Sequence, residues 1–424
     1  MDPRVSTAVA EAHRKEWAFV LAATVRVTAD LDLAEECVQH AYAKALESWA
    51  RAGIPTRPGA WLTTTARRRA IDLLRRSVRE RGLLPLLVED ANAPDPQETE
   101  HPDIPDDRLR LIFTCCHPAL GQPAQVALTL RLVCGLTTTE VARAFLVPDP
   151  TMAARITRAK RKIATARIPF RVPTAEELPE KLDPVLEVVH LLFATGHTAP
   201  AGDDLVRTDL VQRAGDLARM LHALLPASGE VRGLLALILL TGARSPSRVD
   251  DSGRLVLLAE QDRSRWDGAA IDEGLRLLER TSADSRFALM AAIAAVHARS
   301  GSWGETDWTR IVELYDALIA VWPSPVVELN RAVAVGLAEG PQAGLDCLEP
   351  LLSEPQLAGY AYLSASRADF LRQVGRVSDA RLAYEEALML SANAVEREFL
   401  AERLRALDDA SRVGDTGEAS EVAG

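Results

Sequence analysis

The chain has 424 residues and a formal net charge of −11 at pH 7, and 48% of its residues are hydrophobic. This length predicts about three domains with sizeable cores, which excludes a wholly disordered protein. The first residues contain no apolar signal-peptide core, and no run approaches the ~18 apolar residues of a membrane helix. Five scattered cysteines fit a reducing compartment better than a disulfide framework. We therefore expect a cytoplasmic protein without a membrane partner.

The negative charge is distributed unevenly along the chain. Residues 1–165 contain 23 basic and 20 acidic side chains, whereas residues 166–424 contain 26 basic and 40 acidic ones. Because nucleic-acid affinity depends on local basic patches, an acidic second part does not exclude DNA binding by the first.

The hydrophobic periodicity is helical almost throughout, so the predicted fold class is all-α. In the first helical unit, residues 8–80, the second helix is expected to begin near Asp32, with Glu35 completing a capping box. Its predicted core side carries Leu33, Cys37, Tyr42, Ala45 and Trp49, and its predicted outer face carries Glu36, Gln39, His40 and Lys44.

A strongly basic helix is predicted after Pro58 and Gly59, which mark a break in the chain. Its cationic side chains are Arg67, Arg68, Arg69, Arg75, Arg76 and Arg79. The helix is a candidate phosphate-facing surface.

An acidic segment follows at residues 88–107, with eight acidic residues, four prolines and no Lys or Arg. Such a composition cannot bury a core and is typical of an extended linker. Two interpretations remain open, a solvated tether and a polyanion that occupies a channel built for nucleic acid.

Residues 136–163 predict two short helices around a tight break. The first covers 138–145; Asp149 is the expected N-cap of the second, and Pro150 its first residue. An apolar stripe on the second helix is formed by Met152, Ile156, Ala159 and Ile163, and its other side carries Arg155, Arg158, Lys160, Arg161 and Lys162. This is the layout of a helix-turn-helix whose second helix enters the major groove. An ordinary amphipathic hairpin with a solvated basic face is the alternative.

Beyond residue 180 the pattern predicts helices to about residue 408, followed by a polar tail expected to be disordered. Ala368, Gly375, Ala380, Tyr384 and Ala387 fit the spacing of a tetratricopeptide hairpin. Poorer copies include Ala343 and Cys347, and Ala292, Tyr315, Leu318 and Pro323. Arrays of such repeats usually bind proteins.

Three smaller groups of residues have both a structural and a chemical interpretation. Cys115, Cys116 and His117 suggest a metal or thiol site, but a second ligand pair is missing, so buried cysteines are favoured. Asp262, Arg263 and Trp266 suggest either a ligand pocket or an ion pair with a packed aromatic ring. His190 and His197 suggest a sensor or ordinary packing. No catalytic residue, metal site or cofactor is predicted.

Three segments of residues 1–165 resemble the extracytoplasmic-function sigma factors of the sigma-70 family. They read DLAEECVQHAYAKALESW at 32–49, AWLTTTARRRAIDLLRR at 60–76, and the helix-turn-helix at 136–163. In that family they dock on the polymerase β′ subunit, read and melt the −10 element, and read the −35 element. FTCCHPAL, EQDRSRWD and SPVVELNRAVAV resemble the subgroup with a fused C-terminal tetratricopeptide-like extension.

The resemblance implies three groups of site residues. Contacts with the −35 element would come from Thr151, Ala154, Arg155, Thr157, Arg158, Arg161 and Lys162. Contacts with the −10 element would come from Trp61, Thr64, Arg67, Arg68, Arg75 and Arg76. Contacts with polymerase would come from Asp32, Glu35, Glu36 and Gln39. Arg158 is the best guanine reader, because a guanidinium pairs bidentately with G O6 and N7.

The resemblance also implies a domain order and a set of partners. The expected order is sigma region 2 at 1–82, linker at 83–105, sigma region 4 at 106–170, a helical extension at 171–285, tetratricopeptide-like repeats at 286–408 and a disordered tail at 409–424. The expected partners are core RNA polymerase, through its β and β′ subunits, and double-stranded and melted promoter DNA. The C-terminal domain is expected to contact the sigma domains or a protein partner. The alternative is a polymerase-independent helix-turn-helix regulator with a helical-repeat sensor.

Overall fold

Helices form nearly all of the regular structure, which confirms the predicted all-α class. The computed structural model describes residues 3–80, 107–145, 147–174, 176–282 and 284–421. The chain forms two units, Met1–Val188 and Val189–Gly424. The expected acidic linker at 83–105 lies outside the described residues. Among the described helices, none is long and apolar enough to span a membrane.

The first unit begins with three long helices that pack on one another. They are α1 (Pro3–Thr28), α2 (Leu31–Ala52) and α3 (Pro58–Glu80). After the undescribed residues come α4 (Asp107–Cys115), α5 (Gln122–Leu128) with a π-helical turn at Thr129–Val133, α6 (Thr138–Ala144) and α7 (Asp149–Thr165). Helix α8 (Leu178–His197) carries the chain into the second unit.

The start of α2 differs from the sequence prediction. Asp30 is the N-cap, and its carboxylate accepts the backbone N–H groups of Asp32 at 2.8 Å and Leu33 at 2.9 Å. The expected capping box of Asp32 and Glu35 is therefore wrong, because an earlier aspartate already satisfies those donors. The predicted faces of α2 are confirmed: Cys37, Tyr42, Ala45 and Trp49 are buried, whereas Glu36, Gln39, His40 and Lys44 are exposed. Leu33 is only partly buried.

The helix-turn-helix is formed by α6 and α7. Met152, Ile156, Ala159 and Ile163 are all buried, which confirms the predicted stripe. Asp149 is not the N-cap: Pro148 holds that position, and the Asp149 carboxylate accepts the Thr139 hydroxyl at 2.6 Å. This bond ties the first turn of α7 to α6. At the start of α6, the Thr137 N–H donates to the Glu140 carboxylate at 2.7 Å, and the Glu140 N–H donates to the Thr137 hydroxyl at 3.2 Å. The reciprocal bonds form a capping box.

The second unit continues as a series of helices connected by short turns and 3-10 segments. They are α9 (Thr208–Leu224), α10 (Gly229–Gly242), α11 (Gly268–Glu279), α12 (Arg286–Arg299), α13 (Trp308–Val321), α14 (Pro325–Glu339), α15 (Pro341–Leu348), α16 (Ala361–Gln373), α17 (Val377–Leu390) and α18 (Ala394–Glu421). The only strands in the described part of the chain are the parallel pair β1 (Ala201–Gly202) and β2 (Ala392–Asn393). Buried Asn393 supports this pairing by donating to the carbonyls of Ala199 at 3.0 Å and Asp204 at 2.9 Å.

Close helix packing in this unit depends on small residues. A Cβ atom added at Gly233 of α10 would lie 2.7 Å from the Ala288 nitrogen of α12, so no larger residue fits there. Gly336 of α14 and Gly344 of α15 meet the Phe370 ring in the same way. These contacts explain how successive helices approach one another closely.

The predicted tetratricopeptide hairpin falls on α16 and α17. Ala368, Ala380, Tyr384 and Ala387 are buried between and beside these helices, and Gly375 makes the turn with φ of +78°. The assignment of a repeat family remains a prediction. The tail differs from expectation, since α18 continues to Glu421 instead of ending near residue 408. Residues 409–421 contain no proline, and their two glycines weaken a helix without forbidding it.

Candidate nucleic-acid interface

Helix α7 presents a cationic face opposite its buried stripe. Arg158, Arg161 and Lys162 are exposed, as are Thr151, Ala154 and Thr157. Arg155 is partly buried, with its guanidinium 5.5 Å from the centre of the Phe145 ring. Within the described residues, no carboxylate pairs with Arg158, Arg161 or Lys162. The helix therefore exposes charge and hydrogen-bond donors along one side, as major-groove binding requires.

Helix α3 exposes a second cationic face. Arg67, Arg68, Arg75 and Arg76 are exposed, and the described residues offer none of them an ion pair. Trp61 and Thr64, which precede Arg67 by six and three residues, are partly buried. The Trp61 ring packs edge-on against Trp49 of α2, with 5.6 Å between ring centres. This contact holds Trp61 near the start of the helix while leaving part of its ring accessible for stacking.

The acidic face of α2 is partly occupied by helix α7. Lys160 Nζ lies 2.6 Å from a Glu35 carboxylate oxygen and 2.7 Å from an Asp32 carboxylate oxygen. Arg131, from the π-helical turn, pairs with the other Glu35 oxygen. Only 5% of Glu35 is exposed, and 11% of the Lys160 side chain. Burial alone would lower the pKa of Lys160, but Glu35 and Asp32 raise it above the usual value.

The other two residues of the expected polymerase face are accessible. Glu36 is exposed and lies 3.8 Å from Arg69 of α3, and Gln39 is exposed one turn further along α2. Of the four predicted polymerase residues, Glu36 and Gln39 face solvent, and Asp32 contacts Lys160 while 74% of its side chain stays exposed. Only Glu35 is buried against α7.

A second contact links α1 to the helices around the helix-turn-helix. The Trp17 indole N–H donates to the Leu132 carbonyl at 3.0 Å, and Arg131 lies 5.9 Å from the centre of the same ring. Gly135, at φ of +72°, passes so close that an added Cβ would lie 3.0 Å from Trp17. Together with the Lys160 cluster, these contacts hold α7 against α2 in this conformation.

The Cys115–Cys116–His117 segment has a structural role. Both thiols are buried, and burial raises the pKa of Cys116 to about 12, although a hydrogen bond with Thr129 opposes that rise. The Gln125 amide donates to the carbonyls of Cys116 at 3.1 Å and His117 at 3.0 Å, which fixes the turn after α4. The described residues include no group of His, Cys, Asp or Glu arranged to hold a metal.

The Asp262–Arg263–Trp266 segment matches only part of its structural interpretation: the aromatic ring is packed, but the described residues show no ion pair of Asp262 with Arg263. The Asp262 carboxylate accepts the Ser264 N–H at 2.9 Å, and Arg263 lies over the Trp266 ring at 4.7 Å. The Arg263 guanidinium donates to the His297 carbonyl at 2.8 Å. Its charge therefore stabilises the end of α12, and Trp266 is buried beneath it.

Sequence reasoning missed the role of Lys160, which it placed with the other basic residues of α7. The helical spacing contains a usable signal: Lys160 follows Ile156 by four positions and directly follows Ala159, so it borders the buried stripe. Its partners are more than 120 residues away, so the ion pair itself has no local signature.

Comparison with known families and proteins matches three parts of the chain. The sigma-70 region 2 family covers residues 14–80, and the sigma-70 region 4 family covers residues 110–163. A family of unknown function (DUF6596) covers residues 181–282. The uncharacterized protein R00370 of Rhizobium meliloti (strain 1021) is 43% identical over 390 residues, which is 90% of this chain and 91% of that protein.

Proposed function

We propose that this chain, which belongs to the sigma-70 family and carries regions 2 and 4 of the extracytoplasmic-function type, directs core RNA polymerase to two-part promoters and helps to open them. The observation that carries the proposal is that α3 and α7, which fall in the two matched regions, each expose arginines that have no acidic partner among the described residues. A polymerase-independent regulator would need the helix-turn-helix alone and would not account for the region 2 match.

At the −35 element, α7 enters the major groove with Arg158 reading guanine and Thr151, Ala154, Thr157, Arg161 and Lys162 lying along the groove. Ala154 offers only a methyl group, so phosphate contacts and DNA shape contribute much of the recognition. Arg155 supports the helix through its contact with Phe145 and reaches the backbone from the side.

At the −10 element, α3 holds the melted strand. Trp61 and Thr64 contact unstacked bases, while Arg67, Arg68, Arg75 and Arg76 follow the phosphates. Opening requires no covalent chemistry, because the protein only has to bind the melted strand more tightly than the duplex.

Polymerase binds the acidic face of α2, through Glu36 and Gln39 first. Asp32 is already largely exposed, whereas Glu35 becomes available only when both Lys160 and Arg131 leave it, so polymerase competes with these two cations for the Glu35 carboxylate. In this proposal, binding to polymerase separates α7 from α2 and lets the two basic helices reach different DNA segments.

The second unit regulates this activity by contacting the sigma regions or a protein partner. Residues 181–282 match a family of unknown function, and α16 and α17 of this unit pack as a helical hairpin. The support for the proposal is that arrays of helical hairpins usually bind proteins. Truncation of the chain after residue 175 tests whether the second unit regulates transcription. Unchanged promoter-dependent transcription by the truncated chain would contradict it.

Transcription from a promoter library by purified core enzyme plus the full chain tests the main proposal. We expect stimulation by the wild-type chain and its loss in the double variant Arg67→Ala/Arg158→Ala. Arg51→Ala, an exposed arginine at the end of α2, is the matched control and should retain activity. Absence of stimulation, or normal stimulation by the double variant, would contradict the proposal.

A further inference from the structure

A cavity of about 750 Å³ lies within the second unit. This volume falls within the ~300–1,000 Å³ typical of small-molecule sites. Its walls are largely apolar and include Phe193 of α8, Leu237 of α10, Ile293 of α12 and Leu318 of α13. The polar side chains that line it include Arg244, Tyr315 and Asn330. A cavity that combines apolar walls with few polar groups suits an amphipathic small molecule.

Three arginines lie close together beside this cavity, and two of them have internal partners. Arg248 donates to the His197 carbonyl and to the Thr198 hydroxyl, the latter at 3.0 Å. Arg263 donates to the His297 carbonyl at 2.8 Å. Both therefore stabilise helix ends, where backbone carbonyls lack helical partners.

Arg244 differs from its two neighbours. Within the described part of the chain, no carboxylate lies within ion-pairing distance of its guanidinium, and no hydrogen bond satisfies it. It lines the cavity directly. An enclosed charge without a partner is costly, so such an arginine is normally compensated by something.

Among the described residues, no acidic side chain forms an ion pair with Arg244. Burial, and then the positive charges of Arg248 and Arg263, lower the pKa of Arg244 to about 10. Burial raises the pKa of Tyr315 to about 12, so its hydroxyl stays neutral. Glu396 is the one acidic residue among the described lining residues, and it accepts the hydroxyls of Tyr362 at 2.8 Å and Ser391 at 3.1 Å. The Glu396 carboxylate is thus held by two hydroxyls, and Arg244 has no direct acidic partner among the described residues.

We propose that this cavity binds a small organic acid, whose carboxylate pairs with Arg244 and whose apolar part lies against Phe193 and Ile293. The planar guanidinium offers two parallel N–H donors that match the two oxygens of a carboxylate. The Tyr315 hydroxyl and the Asn330 amide are neutral groups that can complete the hydrogen bonding. The inference concerns the second unit alone and does not depend on promoter recognition.

Titration calorimetry with the full chain tests the proposal, with octanoate as the probe. The neutral isostere octanamide has the same chain without the charge, and octyl phosphate tests a different anionic head. We expect octanoate to bind, octanamide not to bind at the same concentrations, and octyl phosphate to bind more weakly. Arg244→Gln should weaken octanoate binding about 10- to 100-fold. The exposed Arg299→Gln, at the end of α12, is the matched control and should leave the dissociation constant unchanged.

A second variant separates a lost ligand contact from a folding defect. Arg244→Met removes the unpaired charge, so we expect it to raise the melting temperature of the free protein while abolishing octanoate binding. Equal binding of octanoate and octanamide would overturn the proposal, as would full octanoate affinity in Arg244→Gln. Failure of all three probes to bind the wild-type chain, or a lower melting temperature for Arg244→Met, would overturn it as well.

Discussion

Arginines occur in two very different settings in this molecule. On α3 and α7 they are exposed and, within the described residues, lack acidic partners, so they can follow an extended polyanion. In the second unit Arg244 lines a cavity, and the neighbouring Arg248 and Arg263 donate hydrogen bonds to backbone carbonyls. In our proposal, arginines therefore bind a long DNA duplex in one region and a single small anion in the other. The surroundings of a charge decide what it can bind.

The largest effect is expected from removing the exposed charges of α3. Arg67→Ala/Arg68→Ala should reduce open-complex formation at least 100-fold, because each arginine contributes about 1.5–3 kcal/mol through charge-assisted contacts that form with melted DNA. Permanganate reactivity of promoter thymines measures opening directly. The double variant Arg310→Ala/Arg299→Ala, with exposed arginines from the second unit, is the control. Equal losses in both double variants would remove the distinction between the two regions.

The next effect concerns the guanine reader. Arg158→Ala should weaken binding to a −35 duplex about 10- to 100-fold and relax specificity at one base pair, since a bidentate arginine contact supplies about 1–3 kcal/mol of discrimination. Competition binding with duplexes that differ at single positions measures both quantities. A uniform loss on every duplex would instead assign Arg158 to a phosphate.

Lys160 differs from the exposed cations of α7, because its side chain is largely buried against the carboxylates of α2. Lys160→Ala should loosen the contact between α7 and α2 and raise the affinity for core polymerase several-fold, since Glu35 then keeps only Arg131 as a cationic partner among the described residues. Hydrogen exchange of α2 amides and a polymerase-binding titration provide the measurements. Lys162→Ala, two residues further on and exposed, should change neither. Slower α2 exchange or weaker polymerase binding in Lys160→Ala would contradict the proposed competition.

Acidification should lower the stability of the second unit through His297, which lies near Arg244 and Arg263. Burial first, and then Arg244 and Arg263, lower the pKa of His297 from 6.5 to about 4. The unfolded chain therefore binds more protons between pH 4 and 6.5, so the free energy of unfolding falls as pH drops through that window. The loss from this residue is about 1–3 kcal/mol and is complete near pH 4. Denaturant titrations at several pH values give the free energy of unfolding as a function of pH. Its dependence on pH should be weaker in His297→Gln, whereas the exposed His40→Gln should match the wild type.

Salt should produce the smallest and most discriminating effect. Each phosphate contact removed should lower the slope of log affinity against log salt by about 1, so Arg161→Ala should reduce the salt dependence of DNA binding by that amount. Octanoate binding at Arg244 should respond much less, because an enclosed pair is poorly screened. Similar salt slopes for the two ligands would show that Arg244 is as accessible as Arg161.

Sequence periodicity correctly predicted the helices that have one strongly polar face and one strongly apolar face. The stripe from Met152 to Ile163 and the two faces of α2 have one polar and one apolar side, so their orientation follows from burial of the apolar side. The exposed arginines of α3 are likewise expected on the side away from Leu62, Ala66 and Ala70, which are buried.

The rest depends on partners that are distant in sequence. The caps predicted at Asp32 and Asp149 are wrong because several residues compete for each helix start, and only geometry decides which one caps it. Lys160 and Arg244 look like other cations in the sequence. Their roles differ because Glu35 meets one of them, whereas no carboxylate reaches the other among the described residues.

The central claim is that two basic helices hold separate stretches of one promoter while the chain is bound to polymerase. Footprinting of the reconstituted complex of core enzyme, full chain and promoter tests it most directly. We expect two protected stretches, at the −35 and −10 elements, with permanganate-reactive thymines at the −10 element alone. Arg158→Ala should weaken the first protection, and Arg67→Ala/Arg68→Ala should abolish the reactivity. A single protected stretch, or a footprint that the chain produces equally well without polymerase, would contradict the account.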